Sequence, residues 1–265
     1  ELDYLKPYWD TFPWRRAELR ELMAAGRLEL VGGTYNEPNT NLTSAESTAR
    51  NAVYGIGYQR DVLGGMPATA WQLDVFGHDP QFPGMMADAG LTASSWARGP
   101  FHQWGPSRSP GGNPSMQFTS EFDWVSPSGV GLLTSYMPNH YSAGWDLDAA
   151  VDLEEALREA ERLFLELKVV AGTRNVLLPV GSDYTPPNRW ATDIQRAWND
   201  RYVWPRFEVA LPKDFFAAVR DGFAAGTGPS PQTRDMNPIY SGKDVSYIDT
   251  KQAQRVGESE HPGKG

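Results

Sequence analysis

Ala68-Thr69-Ala70-Trp71-Gln72-Leu73-Asp74-Val75-Phe76-Gly77-His78 is the stretch from which the fold can be read. Its first half is short and mostly apolar, with a β-branched and an aromatic residue, as expected of a buried strand. The run ends at a carboxylate, Asp74; Gly77 and His78 follow closely, and then a helical pattern. In α/β folds the sheet holds the backbone while the loop after each strand exposes side chains, so chemistry collects at strand ends. An acid in this place is a functional candidate. The competing reading is an Asp that merely caps the following turn.

Working outward, Pro13 and the run after it to residue 23 predict a helix with Pro in its first turn and Gly26 as its stop. Residues 28–31 read as a short buried strand. Thr43-Ser44-Ala45-Glu46 is a capping-box pattern opening a helix to about residue 63, closed by Gly64-Gly65. A helix over 81–89 and a strand over 93–97 follow Asp74. This alternation predicts an α/β fold with parallel strands and helical crossovers.

Residues 99–114 lack periodicity and are rich in Gly, Pro and Ser, which predicts a long functional loop. Two strands, 118–125 and 130–136, flank the turn Ser126-Pro127-Ser128-Gly129. Residues 148–170 carry the strongest helical pattern, with Leu153, Leu157, Ala160, Phe164 and Leu167 on one face. Residues 175–180 read as another buried strand, leading to a second acid, Asp183. A helix over 193–200, a strand over 206–210 and a helix over 213–224 complete the pattern. The connector 226–238 is rich in Gly, Pro, Ser and Thr, which sets a boundary between an α/β domain at 1–225 and a linker with the start of a further domain at 226–265. The tail from Gly257 to Gly265 contains Pro262 and reads as the end of a truncated piece of a larger protein.

Composition narrows the partners. With 33 acidic and 24 basic residues the net charge is −9, which argues against a nucleic-acid backbone or an anionic membrane surface. There is no cysteine, so disulfides and thiolate metal sites are excluded, and any metal must take O and N ligands. The first residues lack the basic and apolar regions of a secretory signal, and no apolar run has membrane-spanning length; a soluble cytoplasmic protein is the default expectation. The 10 Trp, 11 Tyr and 11 Phe would suit a carbohydrate site, where flat rings stack on sugar C–H faces, and they suit a protein core equally. Trp96, Trp104 and Trp145 are read in Gly/Pro-rich loops and are the groove candidates.

Trp71 to His78, with Pro83-Gly84-Met85-Met86-Ala87-Asp88-Ala89-Gly90-Leu91, resembles the nucleophile block of glycoside hydrolase family 38, the α-mannosidases. Three further blocks agree in order. Gly26-Arg27-Leu28-Glu29-Leu30-Val31-Gly32-Gly33-Thr34-Tyr35-Asn36-Glu37-Pro38 resembles the family's strand upstream of the nucleophile. Leu177-Leu178-Pro179-Val180-Gly181-Ser182-Asp183-Tyr184 resembles the block with its second catalytic carboxylate. Ile239-Tyr240-Ser241-Gly242, with Lys251, resembles the entry to the helical domain beyond. The resemblance implies a partial β/α barrel of the seven-stranded type, followed by the beginning of a helical domain, and a retaining glycosidase acting on mannose-containing glycans. It allows a homo-oligomer of the full-length protein.

It implies specific roles as well. Asp74 would be the nucleophile and Asp183 the acid/base, the pair of carboxylates that glycoside hydrolysis requires. At Ser182 family members often carry another acid, so a neighbouring charge that would raise the Asp183 pKa is missing here. Arg98 matches a position where an Arg approaches the nucleophile, and Glu37, at the end of the 28–31 strand, is a candidate substrate contact with Trp96. The family's zinc would take Asp74, a His-x-Asp pair near the N-terminus and a distant downstream His. Of these only Asp74 is present, so the other ligands are expected outside the chain. The four histidines are His78, His102, His140 and His261, and none stands in a His-x-Asp. His78 reads as a structural histidine; His102 and His140 are loop residues that could touch substrate. The rival readings are a non-catalytic carbohydrate-binding remnant and a metal-dependent polysaccharide deacetylase barrel, which would need a His-x-x-x-His pair that this sequence lacks.

Overall fold

The structure, a computed structural model, describes residues 2–100, 116–238 and 247–260. His102, Trp104, His261 and the block at 239–242 lie outside the described residues. Among the described residues five strands form one mixed sheet: β1 (Thr69–Trp71), β2 (Ala93–Trp96), β3 (Glu121–Val125), β4 (Gly131–Tyr136) and β5 (Pro231–Gln232), in the order β1-β2-β4-β3-β5. β1, β2 and β4 run parallel, with Trp71 level with Ser95 and Trp96 level with Tyr136. β3 returns antiparallel to β4 through the 126–130 turn, and β5 adds parallel to its far edge. Parallel neighbours need a crossover, and α4 (Phe82–Asp88) supplies it between β1 and β2. Phe82 and Met86 of α4 join Trp96, Phe122, Trp124 and Tyr136 of the sheet in the main core. The α/β expectation is met, and β1 carries the loop that begins at Gln72.

The helices follow their local signals. α1 (Leu2–Thr11) and α2 (Arg16–Ala24) precede α3 (Ala45–Gly57), where the Ser44 hydroxyl accepts from Ser47 N at 3.1 Å. A π-helical turn, Tyr58–Leu63, extends α3 to Gly64, whose φ of 83° is the left-handed stop that glycine permits. α6 (Leu153–Leu167) buries Ala156, Leu157, Ala160, Leu163 and Leu167. These pack with Ile194 and Trp198 of α7 (Ala191–Arg201) into a second core. Each buried Leu there contributes about 1.5–3 kcal/mol. α8 (Pro212–Ala224) and α9 (Ile248–Glu260) complete the described helices. Among the described residues no helix is long and apolar enough to cross a membrane.

Three expectations change. The helix expected over 148–170 is divided: α5 (Trp145–Ala149) ends, and α6 starts anew at Asp152, whose Oδ1 accepts from Glu155 N at 2.8 Å. Capping at Asp152 stops the chain from continuing as one helix. The strands expected at 28–31, 175–180 and 206–210 form no ladder among the described residues. These apolar stretches border a cavity instead, and an apolar run becomes a strand only where a partner backbone lies alongside. Finally, segment 226–238, read as a connector, is not wholly irregular. It contributes β5, the core residue Met236 and Asn237, whose Oδ1 accepts from His78 N at 2.7 Å.

Candidate active site

β1 ends at Trp71, and the chain then bends out of the sheet, carrying Asp74 to the wall of a cavity of about 1030 Å³. Gln72 N still reaches Ser95 O at 2.8 Å, and Ala97 N reaches Leu73 O at 3.3 Å. The approach is close: a Cβ at Gly77 would stand 2.4 Å from Asn39 Oδ1 and 2.5 Å from Asn41 Nδ2, so a larger residue would displace those amide side chains. Arg98, just past β2, donates through Nε to Asp74 Oδ1, and its guanidinium carbon sits 4.4 Å from the Phe76 ring centroid. The backbone of Arg98 is itself fixed, because buried His78 donates from Nε2 to Arg98 O at 2.6 Å.

The second carboxylate arrives from a different part of the chain. Asp183 follows Gly181, which has a φ of 121°, in a turn closed by Ser182 N donating to Thr185 Oγ1 at 3.2 Å. Between the two acids stands Tyr141. Its hydroxyl lies 3.1 Å from Asp74 Oδ1 and 3.0 Å from Asp183 Oδ2. Those two oxygens therefore cannot be farther apart than the sum of the distances, about 6 Å. The Tyr141 turn is shaped by His140, at φ 70°, whose ring stacks on the phenol at 3.9 Å and whose Nδ1 bonds Ser142 Oγ at 2.8 Å. A non-glycine residue in that region of backbone space is strained, and such strain gathers at functional sites.

Of the site residues expected from sequence, the structure brings Asp74, Arg98 and Asp183 together, with Glu37 beside them on the cavity wall. Glu37 faces the backbone: its Oε1 accepts from Leu73 N, and from Asp74 N at 3.4 Å. Trp96 is corrected. It is the last residue of β2 and fully buried, packed against His78, Phe122, Trp124 and Tyr136, so it has no face to offer a sugar. The register of three parallel strands points its ring into the main core. Trp145 is half exposed at the start of α5, away from the cavity wall.

Two residues on that wall escaped the sequence reading, Trp71 and Tyr141. Trp71 is the partly exposed last residue of β1, three before Asp74. Tyr141 stands in the loop after β4, and the strand-end argument that singled out Asp74 points to that loop too.

Burial sets the electrostatics around the site. Desolvation, then the nearby Asp74 charge and the bond to Asp183, push the Tyr141 phenol well above its ordinary range, so it acts as a hydrogen-bond donor. Burial pushes the His78 imidazole down to about 4, leaving it neutral. Away from the cavity, burial raises the Glu121 carboxyl to about 7, against the lowering effect of its bonds from Gly172 N and Ser120 Oγ.

The fold is an α/β one, and it brings two carboxylates to one cavity. Residues 1–243 match the model of the glycosyl hydrolases family 38 N-terminal domain, and the chain belongs to that family. A Halalkalibacterium halodurans protein named "Putative mannosylglycerate hydrolase" is 30% identical over 228 residues, covering 82% of this chain and 24% of that protein. Alpha-mannosidase 2 of Mus musculus is 21% identical over 294 residues, covering 94% of this chain and 25% of that protein. The crystal structure of an alpha-mannosidase from Enterococcus faecalis V583 superposes with a TM-score of 0.72 at 23% identity, over 87% of this chain and 24% of that one. The likeness in structure is one of fold. The chain spans about a quarter of the length of these relatives.

Proposed function

We propose that this chain carries the two-carboxylate centre of a retaining glycoside hydrolase that removes terminal α-mannosyl residues from mannose-containing glycans. One observation carries the reading: a single phenol, Tyr141, stands within hydrogen-bond distance of both Asp74 and Asp183. A retaining pair is separated by about 5–5.5 Å, and the limit set by Tyr141 is compatible with that spacing. The mannosyl group is what the names of the relatives have in common.

In this mechanism Asp74 is the nucleophile, with the guanidinium of Arg98 paired to its carboxylate. Its carboxylate attacks the anomeric carbon while the C1–O bond to the leaving group breaks, and Asp183 gives its proton to the departing oxygen. The sugar is then an ester on Asp74. Asp183 takes a proton from water, the water oxygen attacks C1 from the face the leaving group vacated, and Asp74 is released with the configuration retained. Tyr141 supports the division of roles. A phenol has one proton and here faces two carboxyl groups, and Arg98 pairs with Asp74, so the two acids stand in different surroundings.

The family relationship raises the question of zinc, which when bound would polarise and orient sugar hydroxyls. The described residues do not make a zinc site by themselves. Zinc takes three or four protein ligands, and among the described residues no cluster of three His, Asp or Glu is placed to hold a metal. Asp74 is the one implied ligand present, and His78 is buried with its Nε2 on Arg98 O. The steps above use this chain's own groups.

The test uses the complete protein that carries this sequence, with aryl α-mannosides of activated and unactivated leaving groups. Asp74→Asn is expected to abolish turnover of both. Asp183→Asn is expected to spare the activated substrate, because a good leaving group needs little protonation. Equal loss on both would deny Asp183 the acid role. Sugar binding without turnover by the unaltered protein would favour the carbohydrate-binding alternative.

A further inference from the structure

Glu37 is placed to govern the nucleophile rather than the sugar. We infer that Glu37 is a positioning residue: its carboxylate anchors the Leu73–Asp74 backbone and so aims the Asp74 side chain at the anomeric carbon. The inference rests on the reading of Asp74 as nucleophile.

The argument begins where the sheet ends. Leu73 O still accepts from Ala97 N at 3.3 Å, but the amides of Leu73 and Asp74 have turned out of the ladder. Both converge on one oxygen, Glu37 Oε1, which accepts from Leu73 N, and from Asp74 N at 3.4 Å. A charged acceptor shared by consecutive amides ties down the dihedral angles that set the direction of the Asp74 side chain. Without it, two amides beside the cavity lose their partner and the bend after β1 is free to relax.

The segment leading into Glu37 is held by several bonds. The side-chain oxygen of Asn51, on α3, accepts from Tyr35 N at 2.8 Å and Asn36 N at 3.1 Å, while its Nδ2 donates to Asn36 O at 2.8 Å. Gln72 Nε2 donates to Thr34 Oγ1 at 3.1 Å, joining the same segment to the strand end. Pro38 restricts the Glu37 backbone to extended conformations. A continuous set of bonds thus runs from α3 through residues 34–37 to the nucleophile. Asp74 is held twice, by Glu37 through its backbone and by Arg98 and Tyr141 through its carboxylate.

The experiment is covalent labelling of the complete protein with a 5-fluoroglycosyl fluoride of the mannose series, followed by intact-protein mass spectrometry. Asp74 forms the ester bond to C1, the C1–F bond breaks and fluoride departs, so no proton from Asp183 is needed. The final labelled fraction counts competent sites, and the limiting rate at saturating reagent reports the attack itself. Glu37→Ala is expected to label completely but roughly a hundredfold more slowly, the cost of a misplaced nucleophile. Glu37→Gln keeps an acceptor oxygen and is expected to stay within about tenfold of the parent, whereas Glu37→Asp, one methylene short, loses rate as Glu37→Ala does.

A lower labelled fraction with an unchanged rate would make Glu37 a structural residue and overturn the inference. A weaker half-saturation at an unchanged limiting rate would return it to substrate contact, which overturns it too. If Glu37→Ala does not fold, Glu37→Asp and Glu37→Gln carry the comparison, and equal rates in those two would count against positioning. Asp74→Asn is the control for the underlying reading. Its complete silence upholds Asp74 as nucleophile whatever Glu37 does, and labelling that persists in it defeats that reading separately.

Discussion

The hydroxyl of Tyr141 lies 3.0 Å from Oδ2 of Asp183, and by that contact it links a loop after β4 to a turn far along the chain. The same hydroxyl reaches Asp74, so the phenol holds the spacing of the two acids. Tyr141→Phe keeps the ring and its stacking on His140 while deleting both bonds. A hydrogen bond to a charged group contributes about 1.5–3 kcal/mol, so kcat/KM is expected to fall roughly a hundredfold with little change in Tm. Steady-state kinetics with thermal unfolding checks this. An unchanged kcat/KM would remove Tyr141 from the site.

The two tryptophans near the strand ends are expected to respond in opposite ways. Trp96→Ala empties a fully buried position and should cost about 3–5 kcal/mol of stability. Trp71→Ala, on the cavity wall, should cost less than half of that and should raise KM roughly tenfold. Urea unfolding and sugar-binding titrations separate the two. A large stability loss at Trp71 with KM unchanged would make it core material as well.

Glu121 gives the fold a pH dependence whose sign can be worked out. Its carboxyl is raised from 4.5 to about 7 in the folded state, so the folded protein holds a proton that the unfolded chain has released. Its contribution is present below about pH 4.5 and is lost as the pH rises through 7, amounting to about 3 kcal/mol. His78 works the other way: with a folded value of about 4 against 6.5, its contribution is present above 6.5 and is lost as the pH falls toward 4. Glu121→Gln removes the first effect. From pH 4.5 to 7 the variant should therefore gain about 3 kcal/mol on the parent, measured by denaturant unfolding at both ends. A constant difference would mean that Glu121 titrates alike in both states.

Metal content offers an independent check. With Asp74 as the one implied ligand, the isolated 265-residue chain is expected to retain well under one zinc ion after equilibrium dialysis and elemental analysis. Tight stoichiometric zinc would mean that residues other than those implied complete a ligand set.

Much of the fold was legible because its signals are local. The apolar run into Asp74 and the Gly64 stop act within a few residues of where they stand, and the structure uses both; the helix cap falls at Ser44 with Ser47, one residue past the Thr43–Glu46 box. Strand-end context singled out Asp74, and with the family resemblance it pointed to Asp183 and Arg98, which the structure places beside one another. It was not enough for Trp96, because an aromatic at a strand end looks alike in sequence whether its ring turns to the core or to the cleft.

By itself the sequence determined the position of most helices and of the strands around Asp74, the absence of thiol chemistry and the acids that could react, since these follow from side-chain chemistry and short-range periodicity. Tertiary structure alone decided that residues 28–31, 175–180 and 206–210 border a cavity without joining a ladder, because a strand exists only with a partner. It alone put Tyr141 between the two acids and turned Glu37 toward the Leu73–Asp74 backbone. These contacts join segments distant in sequence, and their distances are set by the packing of the elements between them, which no local pattern encodes.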